Sequence, residues 1–171
     1  MEAIKKIEIN KISKIILISL LGTLLLTISA KVKIPLGPVP QTMQTFVVLF
    51  LGVAFGARFA LLTVSLYLLQ GIFGLPVFSG TPEKGIGLIY FTGPTMGYLI
   101  GFLIAAYMAG SFNYKDVFKG SISGFFSNYF KLLFAVSFIY IFGLLWLGNL
   151  IGWDKPIFKI GAEPFLLAEC F

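Results

Sequence analysis

The sequence predicts an all-α integral membrane protein, and three observations predict it. Hydrophobic residues make up 58% of the 171 positions and charged residues only 12%, with a mean hydropathy of +0.96. A soluble globular domain carries about twice that charged fraction. Apolar runs recur along the chain at lengths that approach or exceed the roughly 20 residues needed to cross a bilayer as a helix. Between them lie stretches rich in Gly and Pro, whose backbone hydrocarbon would not tolerate because each N–H and C=O there needs an internal partner.

Six apolar segments are expected: Ile12–Ala30, Thr42–Phe55, Phe59–Phe73, Thr95–Ala109, Ser121–Leu147 and a last one from about Ile157 onward. The first has the length of a signal-peptide core but lacks a small-x-small cleavage site, and further spans follow, so it reads as a retained helix. Lys5, Lys6, Lys11 and Lys14 before it read as a cytoplasmic anchor. The second, third and fourth are short for full spans, so their ends are expected to lie in protein-lined cavities or a thin region. Gly56-Ala57-Arg58 marks a tight turn, and Ser111–Lys119 a polar loop. With the N-terminus inside, the connections Pro35–Gln44 and Pro76–Thr92 share the outer face and form the mouth of a pocket. Pro164 suits the start of a helix. The residues Phe165–Phe171 after it supply only about 10 Å of helix, so the last helix is expected to be incomplete as given. No repeat or second domain is evident, and 1–171 reads as a single transmembrane domain.

The composition also excludes chemistries. The net charge of +6 matches basic membrane flanks rather than nucleic-acid binding, with the lipid bilayer as the implied partner. There is no histidine and a single cysteine, Cys170, which removes a Cys-cluster metal site and the usual general base. No nucleophile–base pair, paired carboxylates or phosphate-binding Gly-Lys-Thr loop is present. The chain is therefore not expected to be an enzyme, to hold a metal or cofactor, or to hydrolyse ATP; active transport would need an energised partner.

Two connections carry the binding candidates. In Gly37–Thr45, GPVPQTMQT, the prolines impose extended backbone, and Thr42, Gln44 and Thr45 then offer donors and acceptors where a helix begins; an ordinary helix cap explains the same residues. In Gly74–Tyr98, GLPVFSGTPEKGIGLIYFTGPTMGY, the density of Gly and Pro suggests a shaped binding loop. Gly93-Pro94-Thr95 opens the fourth helix, whose free N–H groups favour a carboxylate or carbonyl. Tyr98 offers a ring face and a hydroxyl, unless it is an interface tyrosine. Gly97 and Gly101, one turn apart, suit close helix packing. Lys84 is a candidate partner for an anionic ligand tail, against the reading of Glu83-Lys84 as a solvated pair. Lys131 and Glu169 fall inside apolar segments, where ionisable groups are functional candidates. Lys131 reads as snorkelling.

The motifs IPLGPVPQTMQT, LGVAFGARFALLTVSLYLLQGIFGLPVFSG, GPTMGYLIGF, IYIFGLLWL and PFLLAE, in this order, closely resemble the BioY family, the biotin-binding S components of energy-coupling factor (ECF) transporters. The resemblance runs from about Ala30 to the last residue. It implies a six-helix S-component bundle in the bacterial inner membrane, whose outer pocket binds biotin under loop lids. It implies as partners a transmembrane coupling protein and two cytoplasmic ATPase subunits, which would drive uptake by toppling the S component. The substrate contacts it suggests are Gln44, Phe78, Lys84, Gly93, Thr95, Tyr98 and Glu169. Ala168-Glu169-Cys170-Phe171 occupies the first four positions of the family's Gly-Asp-x-x-Lys pattern, and the sequence stops where the Lys would fall. Gly22, Leu26 and Ala30 match, imperfectly, the family's small-residue stripe for docking on the coupling protein; Ser19, Thr23 and Thr27 offer a second small face. The alternatives are an S component for another small vitamin and a non-catalytic structural membrane subunit.

Overall fold

Helix α1 (Glu2–Lys31) leads into a short antiparallel ladder, β1 (Lys33–Ile34) with β2 (Gln41–Thr42), pairing Lys33 with Thr42 and Ile34 with Gln41. Then come α2 (Gln44–Phe55), α3 (Ala57–Ile72), a 3-10 helix (Gly87–Thr92), α4 (Met96–Ser111), α5 (Ile122–Ile151), α6 (Ile157–Gly161) and α7 (Glu163–Glu169). This computed structural model describes residues 2–34, 39–114 and 122–169, with side chains over 13–33, 39–114 and 122–166. Pro35, Gly37, Pro38, Lys115, Lys119 and Cys170 lie outside the described residues, as does the side chain of Glu169.

The apolar segments become helices close to where the sequence puts them, with two departures. The first helix begins ten residues earlier than the apolar run, at Glu2. The last segment is divided: α6 ends at Gly161, and α7 restarts with Pro164 in its first turn, where the missing N–H has no helical acceptor to serve. The turn between α2 and α3 needs a single residue. Gly56, at φ +83°, closes α2 by donating to the Gly52 carbonyl and opens α3 by accepting from the Ala60 N–H, a conformation that costs glycine little.

Among the described residues two helices are long and apolar enough to cross a membrane, Ser13–Lys31 and Ile122–Ile151; α2, α3 and α4 are apolar but run only 12, 16 and 16 residues. The short α4 forms the centre of the bundle and packs against α2, α3 and α5. Its small residues allow this. A Cβ at Gly101 would sit 2.5 Å from the Ile139 Cα, and one at Gly97 would meet the Phe142 carbonyl and the Trp146 side chain of α5. The two glycines thus serve helix packing. Ala105, Ala106 and Ala109 continue the contact surface, all fully buried.

The small-residue stripe of α1, Gly22, Leu26 and Ala30, is turned inward. Leu26 and Ala30 are 0% exposed, and a Cβ on Gly22 would press on the Thr63 side chain of α3. Ser19 and Thr23, on the alternative face, are buried too. The reason is steric: small residues let α1 approach its neighbours in the bundle, while Leu17, Leu21, Leu24 and Ile28 are left exposed on the outside.

Candidate functional site

A cavity of about 60 Å³ lies where the two Gly/Pro connections meet α2, α4, α5 and α7, several times the roughly 10–15 Å³ that one water needs on the same measure. The first connection lines it with Val39–Thr42, and α2 adds Gln44 and Thr45. The second contributes Ser79 and Tyr90. Thr95, Tyr98, Leu99 and Phe102 approach from the start of α4, Ile139 and Tyr140 from α5, and Phe165 from α7. The described lining mixes aromatic and aliphatic side chains with neutral hydrogen-bonding ones and has no charged side chain, a composition that suits a small uncharged polar group with apolar parts.

On the helix side the two buried polar groups, Gln44 and Tyr98, are tied into the protein. Gln44, 4% exposed, donates from Nε2 to the Tyr67 hydroxyl at 2.8 Å and accepts at Oε1 from Thr42 Oγ1 at 3.2 Å. The Tyr67 hydroxyl in turn donates to the Val77 carbonyl at 3.0 Å. The Tyr98 ring lies against Gly143 of α5, and its hydroxyl donates to the Gly161 carbonyl of α6 at 2.8 Å. Its ring can therefore face a ligand, but its proton is committed. Tyr140 meets Tyr98 edge-on and stacks on Phe165, both at 6.4 Å between ring centres, so α5 and α7 share one aromatic wall.

The loop side is held through its main chain. Three successive carbonyls each accept from a different element: Val77 from Tyr67 of α3, Phe78 from the Lys31 ammonium at 2.9 Å, and Ser79 from the Tyr90 hydroxyl at 2.8 Å. Lys31, the last residue of α1, also donates to the Thr81 carbonyl at 3.1 Å and its hydroxyl at 3.0 Å. Burial pushes the Tyr90 phenol above its ordinary range, with the Thr95 side chain acting the other way, so it stays protonated and remains a donor.

Of the residues suggested by sequence, Thr42, Gln44, Thr45, Thr95 and Tyr98 come together at the cavity, while Phe78, Lys84 and Gly93 do not line it. Thr95 precedes α4 without a side-chain capping bond. Phe78 is 1% exposed and sits in a core aromatic cluster, stacked on Tyr90 at 4.7 Å and edge-on to Tyr67 at 5.2 Å. Gly93 offers its carbonyl to Trp146 Nε1 at 2.8 Å instead of to the cavity. Lys84 is exposed, with its aliphatic stem over Gly80 and no partner for its ammonium among the described residues. The Glu169 side chain is outside the description. Lys131 bonds the Asn113 carbonyl and Asn128 Oδ1, away from this site. Sequence reasoning missed Ser79, Tyr90, Tyr140 and Phe165; apart from their places in Gly/Pro-rich or apolar stretches, no local signal marks them.

Comparison with known proteins places this architecture. The model of the BioY family matches residues 3–171. The chain is 32% identical over 145 residues to a probable biotin transporter BioY of Pyrococcus horikoshii, covering 85% of this chain and 80% of that one. It is 43% identical over 88 residues to the biotin transporter BioY of Thermotoga maritima, covering 52% and 50% of the two chains. Among solved structures it resembles the crystal structure of the S-component for biotin from an ECF-type ABC transporter, with TM-score 0.75 and 26% identity over 94% of this chain and 85% of that one. This chain belongs to the BioY family.

Proposed function

We propose that this chain is the substrate-binding membrane subunit for biotin uptake, a single multi-pass domain of the plasma membrane. The observation that carries the reading is the cavity: neutral hydrogen-bonding groups and aromatic walls at the loop end of an apolar helical bundle. Biotin asks for those features, because its ureido head needs oriented donors and acceptors while its ring and chain need apolar contact. The relatives named as biotin transporters and the solved S-component for biotin support the same ligand.

The short α2, α3 and α4 complete the crossing with α1 and α5, and the two connections act as lids on the outer face. Thr95, Gln44 and the Tyr98 ring contact the ligand. Lys84, the unpaired cation of the second connection, meets the carboxylate tail when that loop closes, and Glu169 approaches from α7. Phe78 and Gly93 support the site from behind. With no nucleotide-binding loop in the sequence, uptake is energised by a transmembrane coupling protein and two cytoplasmic ATPases. The coupling protein docks on a face other than the buried Gly22/Leu26/Ala30 stripe.

Purified protein in nanodiscs should bind radiolabelled biotin saturably, with unlabelled biotin competing and other vitamins failing to compete. No saturable biotin binding would sink the reading; displacement by a different vitamin would reassign the ligand within the same fold.

A further inference from the structure

Among the described polar side chains around the cavity, the Ser79 hydroxyl is the buried one left without a partner. Ser79 is 4% exposed and lines the cavity, and its Oγ has no hydrogen-bond partner. An unpaired buried hydroxyl carries a desolvation penalty that a chain avoids when a partner is within reach. Here the backbone is held on both sides while the side chain is left over. The Ser79 carbonyl accepts from Tyr90, and the two carbonyls before it are held by Lys31 and Tyr67. The buried polar groups of the helix side are engaged, Gln44 with Tyr67 and Tyr98 with Gly161. Two other buried hydroxyls without partners, Ser19 and Thr63, belong to α1 and α3 and do not line the cavity.

We propose that Ser79 is a specificity-determining residue whose hydroxyl hydrogen-bonds the uncharged polar head of the bound ligand. The assignment rests on the biotin reading above and names the atom that would meet the ureido group. A hydroxyl both donates and accepts, which matches a ureido group that carries N–H donors beside a carbonyl. A carboxylate would call for a cation, and the described lining has none. The tail therefore points away from Ser79.

The test is to titrate wild type and Ser79→Ala with biotin and with biotin carboxamide, and to measure the thermal midpoint of each ligand-free protein. Ser79→Ala is expected to weaken binding about 3- to 10-fold, equally for both ligands, without lowering the ligand-free midpoint, since it deletes a group that had no partner. Wild-type binding with an unchanged Ser79→Ala affinity overturns the role of Ser79 and leaves the biotin reading standing. A loss seen with biotin but not with the carboxamide overturns the head-group assignment, because the hydroxyl would then face the tail. Weaker binding together with a lowered ligand-free midpoint shows a structural residue and also overturns it. Absence of saturable biotin binding by wild type overturns both this assignment and the biotin reading.

Discussion

The helix side and the loop side of the cavity handle their polar groups in opposite ways. On the helix side, side chains bond the protein: Gln44 to Tyr67, and Tyr98 across the bundle to Gly161. On the loop side, side chains from α1, α3 and the 3-10 helix bond the loop's carbonyls, and the Ser79 side chain is left unpaired. The buried polar groups of the helix wall are thus satisfied without a ligand. The loop wall is a strap pinned at successive points, with one group available for recognition. Tyr67 joins the two, because it accepts from Gln44 and donates to Val77.

The largest effect should come from removing the anchor of the strap. Phe78→Ala deletes a fully buried ring that stacks on Tyr90 and meets Tyr67 and Phe91 edge-on. The expected cost is about 3–5 kcal/mol, read as a lowered thermal midpoint in detergent together with lost biotin binding. A midpoint equal to wild type would mean that Phe78 is not the anchor. Next comes Gln44→Leu, which removes a buried amide but leaves Tyr67 bonded to Val77. It is expected to cost about 1–3 kcal/mol in the same assay. An equal loss in the Tyr67→Phe background would show that Gln44 acts independently of the link between the walls.

The helices were legible in the sequence because apolar runs and punctuation report them directly; Gly56 and Pro164 sit where the chain turns or restarts. The inward face of α1 was not legible. In a membrane protein both the lipid side and the bundle side are apolar, so hydropathy does not separate Leu26, which is buried, from Leu24, which is 55% exposed. The cavity was half legible. Thr42, Gln44, Thr95 and Tyr98 stand at helix starts beside Gly/Pro connections, a local signal. Tyr140 and Phe165 sit mid-pattern in apolar runs, and only the packing of α5 against α7 gives them a cavity to face. The loop motif marks a region, but the direction of each side chain within it depends on long-range bonds. Phe78 turned to the core, Gly93 to Trp146 and Lys84 to solvent, and none of those outcomes follows from spacing.

Smaller effects test the helix wall alone. Tyr98→Phe keeps the ring against Gly143 and removes the bond to Gly161. It is expected to cost about 0.5–1.5 kcal/mol of stability, with biotin affinity nearly unchanged because the hydroxyl's proton is already committed. A large affinity loss with normal stability would instead make that hydroxyl a ligand group.

The smallest change in global stability should come from Lys31→Met, and it bears most directly on the comparison. The ammonium is at the exposed end of α1, yet it bonds three oxygens of a segment 47 to 50 residues away. The three bonds are only part-buried and tie down a surface segment rather than the bundle, and water replaces them when that segment opens, so the thermal midpoint should move little. Local opening is a different quantity, and a strap that loses one pin opens at lower free energy than the bundle it covers. Hydrogen exchange should therefore speed up at the Thr81, Lys84 and Gly85 amides, which bond within the loop, while α4 amides keep wild-type protection. If exchange rose equally in α4, the loop and helix walls would form one cooperative unit, and the division drawn between them would fail.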